Sequence, residues 1–517
     1  MNFLKIELDK VNSLICISLF ITTLLFICIQ LFVPPYIGLA NNGDFERLSL
    51  TCGLGYEIIP WEDARWQDRF FTYMSPLFYE RDTMEINGSH FTTAKIMVTI
   101  AKALNAQFNL NWEFYRQFDM RWLGAVLFAV YAFSIGSIYK LISLLRITYA
   151  IPIGILSCLF FSDILVTQYF NTFYGEATGY VFLIMLLVFM LLALPQLNLL
   201  KRKRSLFFLV AFQSLLALLL MLSKLQYFVY IFPLSILLGI QFIANTERIE
   251  GRKNIFVRKI VSVVVICCIP MFLISVGVYF SKSSVSRLGS ENSIMGDLLR
   301  FSKNPEEHLE KMGFSLEEIE IIKPSIGHSV FTADEEAVSM VRERNKFTRT
   351  DQFRLLFYEP KLLWDITLEK SKTLFMLPGW GVFQKEYGYE PYARDGRFAF
   401  MSKFNEFLFV RSFAFFLSVL LISVCFSFFS LIKTKSWFDY TPYHILICLS
   451  IMCGFQFFIT ILGDSVDHIR HFFSTNVLFI IIFYTTLFLI LYQCPYMLSK
   501  RSSPKGYFGK KTHKKGL

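Results

Sequence analysis

The stretch Leu14–Val33, LICISLFITTLLFICIQLFV, contains no charged residue. At about 1.5 Å of rise per residue, a helix of this length covers about 30 Å, the thickness of a bilayer's hydrocarbon core. Lys5 and Lys10 precede it, and Pro34-Pro35-Tyr36 follows without a small-residue cleavage site. It reads as a retained first transmembrane helix, not a cleaved signal peptide. Similar runs recur along the chain. Candidate spans lie near residues 13–34, 121–142, 149–168, 177–196, 206–222, 226–243, 259–280, 407–432, 442–462 and 472–493. Only Ser223, Lys224 and Leu225 separate the two members of the 206–243 pair.

Composition agrees with a membrane reading. Of 517 residues, 54% are hydrophobic and 18% charged, and mean hydropathy is +0.48. A soluble globular chain carries roughly 25% charged residues. The expected fold class is an all-α polytopic membrane protein of about ten transmembrane helices. A disordered chain, a nucleic-acid-binding module and a small disulfide scaffold are excluded.

The net charge of +11 is concentrated in short loops and the tail. Lys140 and Arg146, Lys201 to Arg204, Arg248 to Arg258, Lys433 and Lys435, and the tail form one basic set. Residues 169–176 hold no Lys or Arg, and 463–471 hold Arg470 only. The positive-inside rule then places both termini in the cytoplasm, a parity that ten spans satisfy. Tail residues Lys510, Lys511, Lys514 and Lys515 read as a solvated end near anionic lipid.

The expected organisation is therefore helix 1 within 1–34, a first outside loop over 35–120, helices 2–7 within 121–280, a second large outside loop over 281–406, helices 8–10 within 407–493, and a basic cytoplasmic tail over 494–517. Loops this long are functional more often than connective. In the first, residues 93–106 have an amphipathic helical pattern suited to the membrane surface. In the second, Asn304-Pro305-Glu306-Glu307 reads as a helix start, Gly313 as a stop and Ser315 to Glu318 as a capping box. Of ten Cys, only Cys52 falls in an outside loop, and none has metal-type spacing. Structural thiols are expected throughout.

Three polar segments interrupt this apolar background. Asn41-Asn42-Gly43-Asp44-Phe45-Glu46-Arg47 follows helix 1 closely, which puts Asp44 at the outer membrane surface. A turn with Asp44 as helix cap is the bland reading. A carboxylate that accepts a proton from an acceptor hydroxyl is the functional one. Tyr169-Phe170-Asn171-Thr172-Phe173-Tyr174-Gly175-Glu176 lies at the outer ends of helices 3 and 4. An aromatic interfacial belt explains its rings but not Glu176, which is costly there unless paired or wet. Gly463-Asp464-Ser465-Val466-Asp467-His468-Ile469-Arg470-His471 joins helices 9 and 10. If it is helical, Asp464 with Asp467 and His468 with His471 share faces. A charged turn is the bland alternative, and the spacing is only weak evidence for a metal. Arg470 suits a phosphate contact. Lys224, in the tight turn between helices 5 and 6, is either a snorkelling lysine or a second phosphate contact.

All these groups are expected outside, at the membrane surface. One shared cavity with an acid and several cations suits a reaction on a lipid phosphate. An ion-coupled transporter would more often place polar groups at mid-membrane in broken helices. A polysaccharide polymerase or ligase, a lipid-linked glycan flippase and a non-catalytic scaffold for glycan assembly remain alternatives.

Four stretches in order, NNGDFER (41–47), YFNTFYGE (169–176), NPEEHLEKMGF (304–314) and GDSVDHIRHFFSTN (463–476), carry a resemblance. With the helix count, they make the chain resemble bacterial polytopic glycosyltransferases of the GT-C superfamily, in particular the surface-glycan hexose transferases. The O-antigen serotype-converting glucosyltransferases share the architecture. The resemblance implies a polyprenyl-phosphate-sugar donor, usually undecaprenyl phosphate, at the outer face of the bacterial inner membrane. It implies a surface polysaccharide or lipid-linked glycan as acceptor, no nucleic acid, and no cofactor or metal in the site. It implies Asp44 as the catalytic base of an inverting transfer. Lys224, Arg470 and His471 would stabilise the leaving phosphate, and Glu176 and Asp464 would orient sugar hydroxyls. Asn42, Glu46, Arg47, Tyr174, Asp467 and His468 complete the expected substrate contacts. Relatives tend to carry Lys-His where this chain has Arg470-His471. Trp364, Trp380, Tyr387, Tyr389 and Tyr392 of the second loop suit sugar stacking or packing on the membrane.

Overall fold

Among the described residues, nine helices are long and apolar enough to cross a membrane. They run Lys10–Phe32, Arg121–Ile142, Ile147–Thr167, Gly175–Leu192, Ser205–Ser223, Gln226–Asn245, Phe413–Lys433, Pro442–Gly463 and Phe473–Leu491. They match nine of the ten expected spans. The remaining one, 259–280, lies outside the described residues. The computed structural model describes residues 2–39, 45–55, 79–80, 92–108, 118–194, 203–250, 283–330, 332–376, 397–434, 440–463 and 468–502. The protein is an all-α polytopic membrane protein. Its backbone groups bond within each helix, as hydrocarbon requires.

Helix α1 (Asn2–Phe32) presents Leu14, Ile17, Ile21, Leu25 and Ile29 outward, a helical stripe facing lipid. Its other side packs on later spans, where Gln30 Nε2 donates to Ser162 O at 2.8 Å. A two-residue antiparallel ladder, β1 (Leu54–Gly55) with β2 (Tyr79–Glu80), is the one described departure from helix and turn. Helix α2 (Thr93–Phe108) covers the expected 93–106 segment. It buries Met97, Val98, Ala101 and Asn105 on the bundle and leaves Ile96, Ile100 and Phe108 exposed.

The spans α3 (Arg121–Ile142), α4 (Ile147–Phe161), α5 (Gly175–Leu192), α6 (Lys203–Ser223) and α7 (Ile231–Glu250) follow. Helix α5 packs between α3 and α6 and is buried along most of its length. Glu176 and Ala177, near its start, are therefore enclosed by neighbouring helices.

The second long segment folds as a cap of helices: α8 (Ser283–Asn292), α9 (Pro305–Lys311), α10 (Leu316–Ile322), α11 (Glu335–Glu343), α12 (Arg349–Tyr358), α13 (Lys361–Ser371) and α14 (Phe400–Leu408). The capping box at Ser315 forms as expected. Glu318 N donates to the Ser315 hydroxyl, and Ser315 N donates to the Glu318 carboxylate. Helix α9 starts after Asn304 as expected, but without a side-chain cap. The Asn304 side chain donates instead to Glu307 at 3.1 Å. Gly313 ends α9 with φ +91°, a left-handed conformation open to glycine. Buried Glu291 joins two helices by pairing with Arg287 at 2.8 Å and Arg342 at 3.1 Å.

Helices α15 (Phe413–Thr434), α16 (Pro442–Gly463) and α17 (Phe473–Ser502) complete the bundle. Asp163 fastens the cap to it. One carboxylate oxygen accepts from Leu165 N, and the other accepts from Met401 N at 2.6 Å and Ser402 N at 2.9 Å in the first turn of α14.

Candidate functional site

Two glycines bring the start of α5 against the end of α6. A Cβ on Gly175 would sit 2.7 Å from Ser223 O, and one on Gly179 would sit 2.3 Å from the Tyr227 ring. This small-xxx-small spacing permits a close helix approach. It sets Glu176, the second residue of α5, opposite Lys224. Lys224 is extended (φ −150°, ψ 139°) between α6 and the 3-10 turn Leu225–Tyr230.

Lys224 Nζ donates to Glu176 Oε1 at 2.7 Å and lies 3.3 Å from His471 Nδ1. Arg470 Nη1 lies 3.9 Å from the same Glu176 oxygen. Its guanidinium sits over the Tyr174 ring, 4.4 Å from the centroid. Glu176 and Arg470 are buried, and Lys224 is nearly so. Charges taken from water at this depth persist only when paired and hydrogen-bonded. The turn His468–His471 carries both Arg470 and His471 into the group. Two of the three expected polar segments, together with Lys224, thus converge at one end of the bundle.

The third segment reaches the same place through Phe45. Its ring packs edge-on against Tyr174, 4.9 Å between centroids, and against Phe173 at 5.5 Å. Asn42 and Asp44 lie outside the described residues. Glu46 and Arg47 begin the helical turn Glu46–Ser49. Asn171 serves this junction structurally. Its Nδ2 donates to Leu31 O at 3.1 Å and Ile37 O at 3.0 Å, across the chain leaving α1.

Several expectations change here. Glu176, costly at the membrane surface unless paired or wet, is paired, by Lys224 from 48 residues away and by Arg470 of the 468–471 turn. Lys224 does not snorkel toward headgroups, because its ammonium turns inward to that carboxylate. His468 does not share the contacts of His471. Its Nδ1 is buried without a hydrogen-bond partner. Burial, reinforced by the nearby Lys370 charge, holds its imidazole well below the usual histidine range. Asp464 and Asp467 lie outside the described residues, as do Trp380, Tyr387, Tyr389 and Tyr392. Trp364 packs edge-on against Phe413, 5.6 Å between centroids. Among the described residues no three His, Cys, Asp or Glu side chains gather as metal ligands would.

A clasp that sequence reading missed holds the end of α16. Arg349 Nη1 donates to Leu462 O at 3.1 Å and Nη2 to Gly463 O at 3.4 Å. Gln352 Nε2 donates to Leu462 O at 2.7 Å, and Lys370 Nζ to Ile461 O at 2.7 Å. Lys370 also lies 2.7 Å from buried Asp297. Cations suit these last carbonyls, where the helix dipole is negative. The clasp orients the helix end from which the segment bearing Arg470 and His471 departs. Local sequence holds no sign of it, since each partner lies about a hundred residues away.

A family model described as the YfdI N-terminal transmembrane domain matches residues 1–514. No curated protein matches the chain. No solved structure matches it.

Proposed function

The chain belongs to the family of the YfdI N-terminal transmembrane domain, and on that premise we propose that it is a membrane glycosyltransferase. It moves a hexose such as glucose from a polyprenyl-phosphate donor to a surface polysaccharide such as O-antigen, at the outer face of the bacterial inner membrane. The observation that carries this reading is the cluster of Lys224, Arg470 and His471 around Glu176, at the end of the bundle that bears both long segments.

A leaving lipid phosphate needs cationic stabilisation in a site poor in water. Arg470 and Lys224 supply full charges there, and His471 a further donor. Glu176 takes a different role from the one its sequence suggested. It holds the two cations in place instead of orienting a sugar. Phe45 packs on the ring that carries Arg470, which supports its sequence neighbour Asp44 as the base. Asp44 removes the acceptor proton while the acceptor oxygen attacks the anomeric carbon. The C–O bond to phosphate breaks through an oxocarbenium-like transition state, with inversion. Asp464 orients sugar hydroxyls. Asn42, Glu46, Arg47, Tyr174, Asp467 and His468 are the remaining proposed contacts. The scheme uses no resident cofactor or metal.

The test is transfer of radiolabel from polyprenyl-phosphate-glucose to a crude surface-glycan acceptor by protein reconstituted in liposomes. Transfer by wild type and not by Asp44→Asn supports both the class and the base. Transfer by both variants removes Asp44 from the mechanism. No transfer with any of a panel of lipid-phosphate sugars retires the reading in favour of glycan polymerisation or lipid-linked glycan transport.

A further inference from the structure

The helical cap exposes a continuous apolar face that the cluster does not use. On α12, Phe353 and Phe357 are 63% and 83% exposed, one helical turn apart. On the adjoining α13, Trp364 and Leu368 repeat that spacing and are also exposed. The other side of this hairpin is occupied: Leu355, Leu362 and Ile366 are buried in the cap, and the polar groups at its ends are bonded. Glu359 accepts from Ser302 at 2.8 Å and meets His308 at 3.2 Å, while Arg349 and Lys370 hold α16. Exposed aromatic rings on helices whose other side is anchored in the protein suit the membrane interface, where such rings concentrate.

We propose that the α12–α13 hairpin lies in the plane of the membrane, with Phe353, Phe357, Trp364 and Leu368 sunk among the lipids of the leaflet nearest the cluster. Continuity fixes the occupant as lipid. Trp364 packs on Phe413, the first residue of a membrane span, so the face begins where the spanning surface ends. Lys361 and Lys372 bracket the Trp364–Leu368 stripe, each beside its own acid, Asp365 at 3.7 Å and Glu369 at 2.6 Å. Basic ends around an apolar centre suit a helix at headgroup depth. Exposure alone does not make the case. Leu316 on α10 is 71% exposed but stands alone beside Glu317, Glu318 and Glu320, the ordinary condition of a surface leucine. Because the same hairpin clasps α16, its depth in the leaflet sets the height of Arg470 and His471 relative to the headgroups.

The experiment uses the full chain in phosphatidylethanolamine–phosphatidylglycerol nanodiscs. Phe357→Trp and Leu316→Trp are compared by difference fluorescence against wild type, with iodide as the aqueous quencher and lipids brominated high on the acyl chain as the membrane quencher. Phe357→Trp emission is expected to shift to the blue, to resist iodide and to fall several-fold more than Leu316→Trp in brominated lipid. The native Trp364 signal, obtained by subtracting Trp364→Phe, is expected to behave like Phe357→Trp and needs no new ring. Iodide quenching of Phe357→Trp equal to that of Leu316→Trp, with no effect of bromine, overturns the proposal. A blue-shifted signal that ignores brominated lipid and depends on protein concentration also overturns it, by showing a second protein on the face.

Discussion

A carboxylate as enclosed as Glu176 is tolerable only because of what surrounds it. Lys224 touches it at 2.7 Å and Arg470 stands behind at 3.9 Å. Removing one member of such a pair leaves an uncompensated buried charge, at a cost of roughly 3–5 kcal/mol. Glu176→Gln is therefore expected to lower the thermal midpoint in detergent and to abolish transfer. Glu176→Gln with Lys224→Met should recover most of the midpoint and none of the transfer. Recovery of both would assign the pair to stability alone. His468 poses a different problem at the same scale. Burial keeps its folded-state pKa well below the ordinary value. Near the unfolded value of about 6.5, the unfolded chain takes up a proton that the folded one refuses. The contribution of His468 is thus intact above pH 6.5 or so and is lost as pH falls, by up to about 1.4 kcal/mol per pH unit. Between pH 7 and pH 5, wild type should lose more thermal stability than His468→Gln. Parallel losses would place the imidazole in contact with water.

Elements decide whether these residues meet. The polar segments were legible in the sequence because charge is conspicuous between apolar runs. The partners were not, because Glu176 to Lys224 and Lys224 to His471 are long-range contacts that no local pattern encodes. The YFNTFYGE stretch shows Gly175, but not that a Cβ there would strike Ser223 O. The clasp on α16 was equally hidden. Arg349 and Lys370 look like ordinary loop cations until the fold sets them on the carbonyls of Ile461, Leu462 and Gly463. Hydrogen bonds to a charged donor contribute about 1.5–3 kcal/mol each. Arg349→Ala should therefore loosen the end of α16 without unfolding the bundle. Amide exchange in peptides covering 455–475 is expected to accelerate several-fold. Peptides from α14, held by Asp163, should exchange unchanged. Uniform acceleration would mean that the clasp stabilises the whole cap and does not position one helix end.

At the scale of the molecule, connectivity tests the topology. Helix α7 begins at Ile231, a 3-10 turn beyond Lys224 and the cluster. Its twenty residues rise about 30 Å, so Glu250 lies at the opposite end of the bundle. The next described helix, α8, is back at the cluster end, where a Cβ on Gly289 would come within 2.7 Å of Gly463 O. Glu250 and the Gly289 end of α8 thus lie at opposite ends of the bundle, as a ten-span reading would require. The basic loops supplied that reading, since Lys and Arg concentrate between spans whose other ends carry few. On that expectation, ten crossings would return both termini to one face and leave the cluster, α2 and the helical cap on the other. An impermeant maleimide should therefore label Leu316→Cys in intact cells from which any outer envelope barrier has been removed. It should label Lys514→Cys only after the membrane is permeabilised. Labelling of both in intact cells would break the parity and put an odd number of spans in the chain. Labelling of Lys514→Cys alone would invert the protein and set the cluster on the face opposite to the one where transfer is proposed.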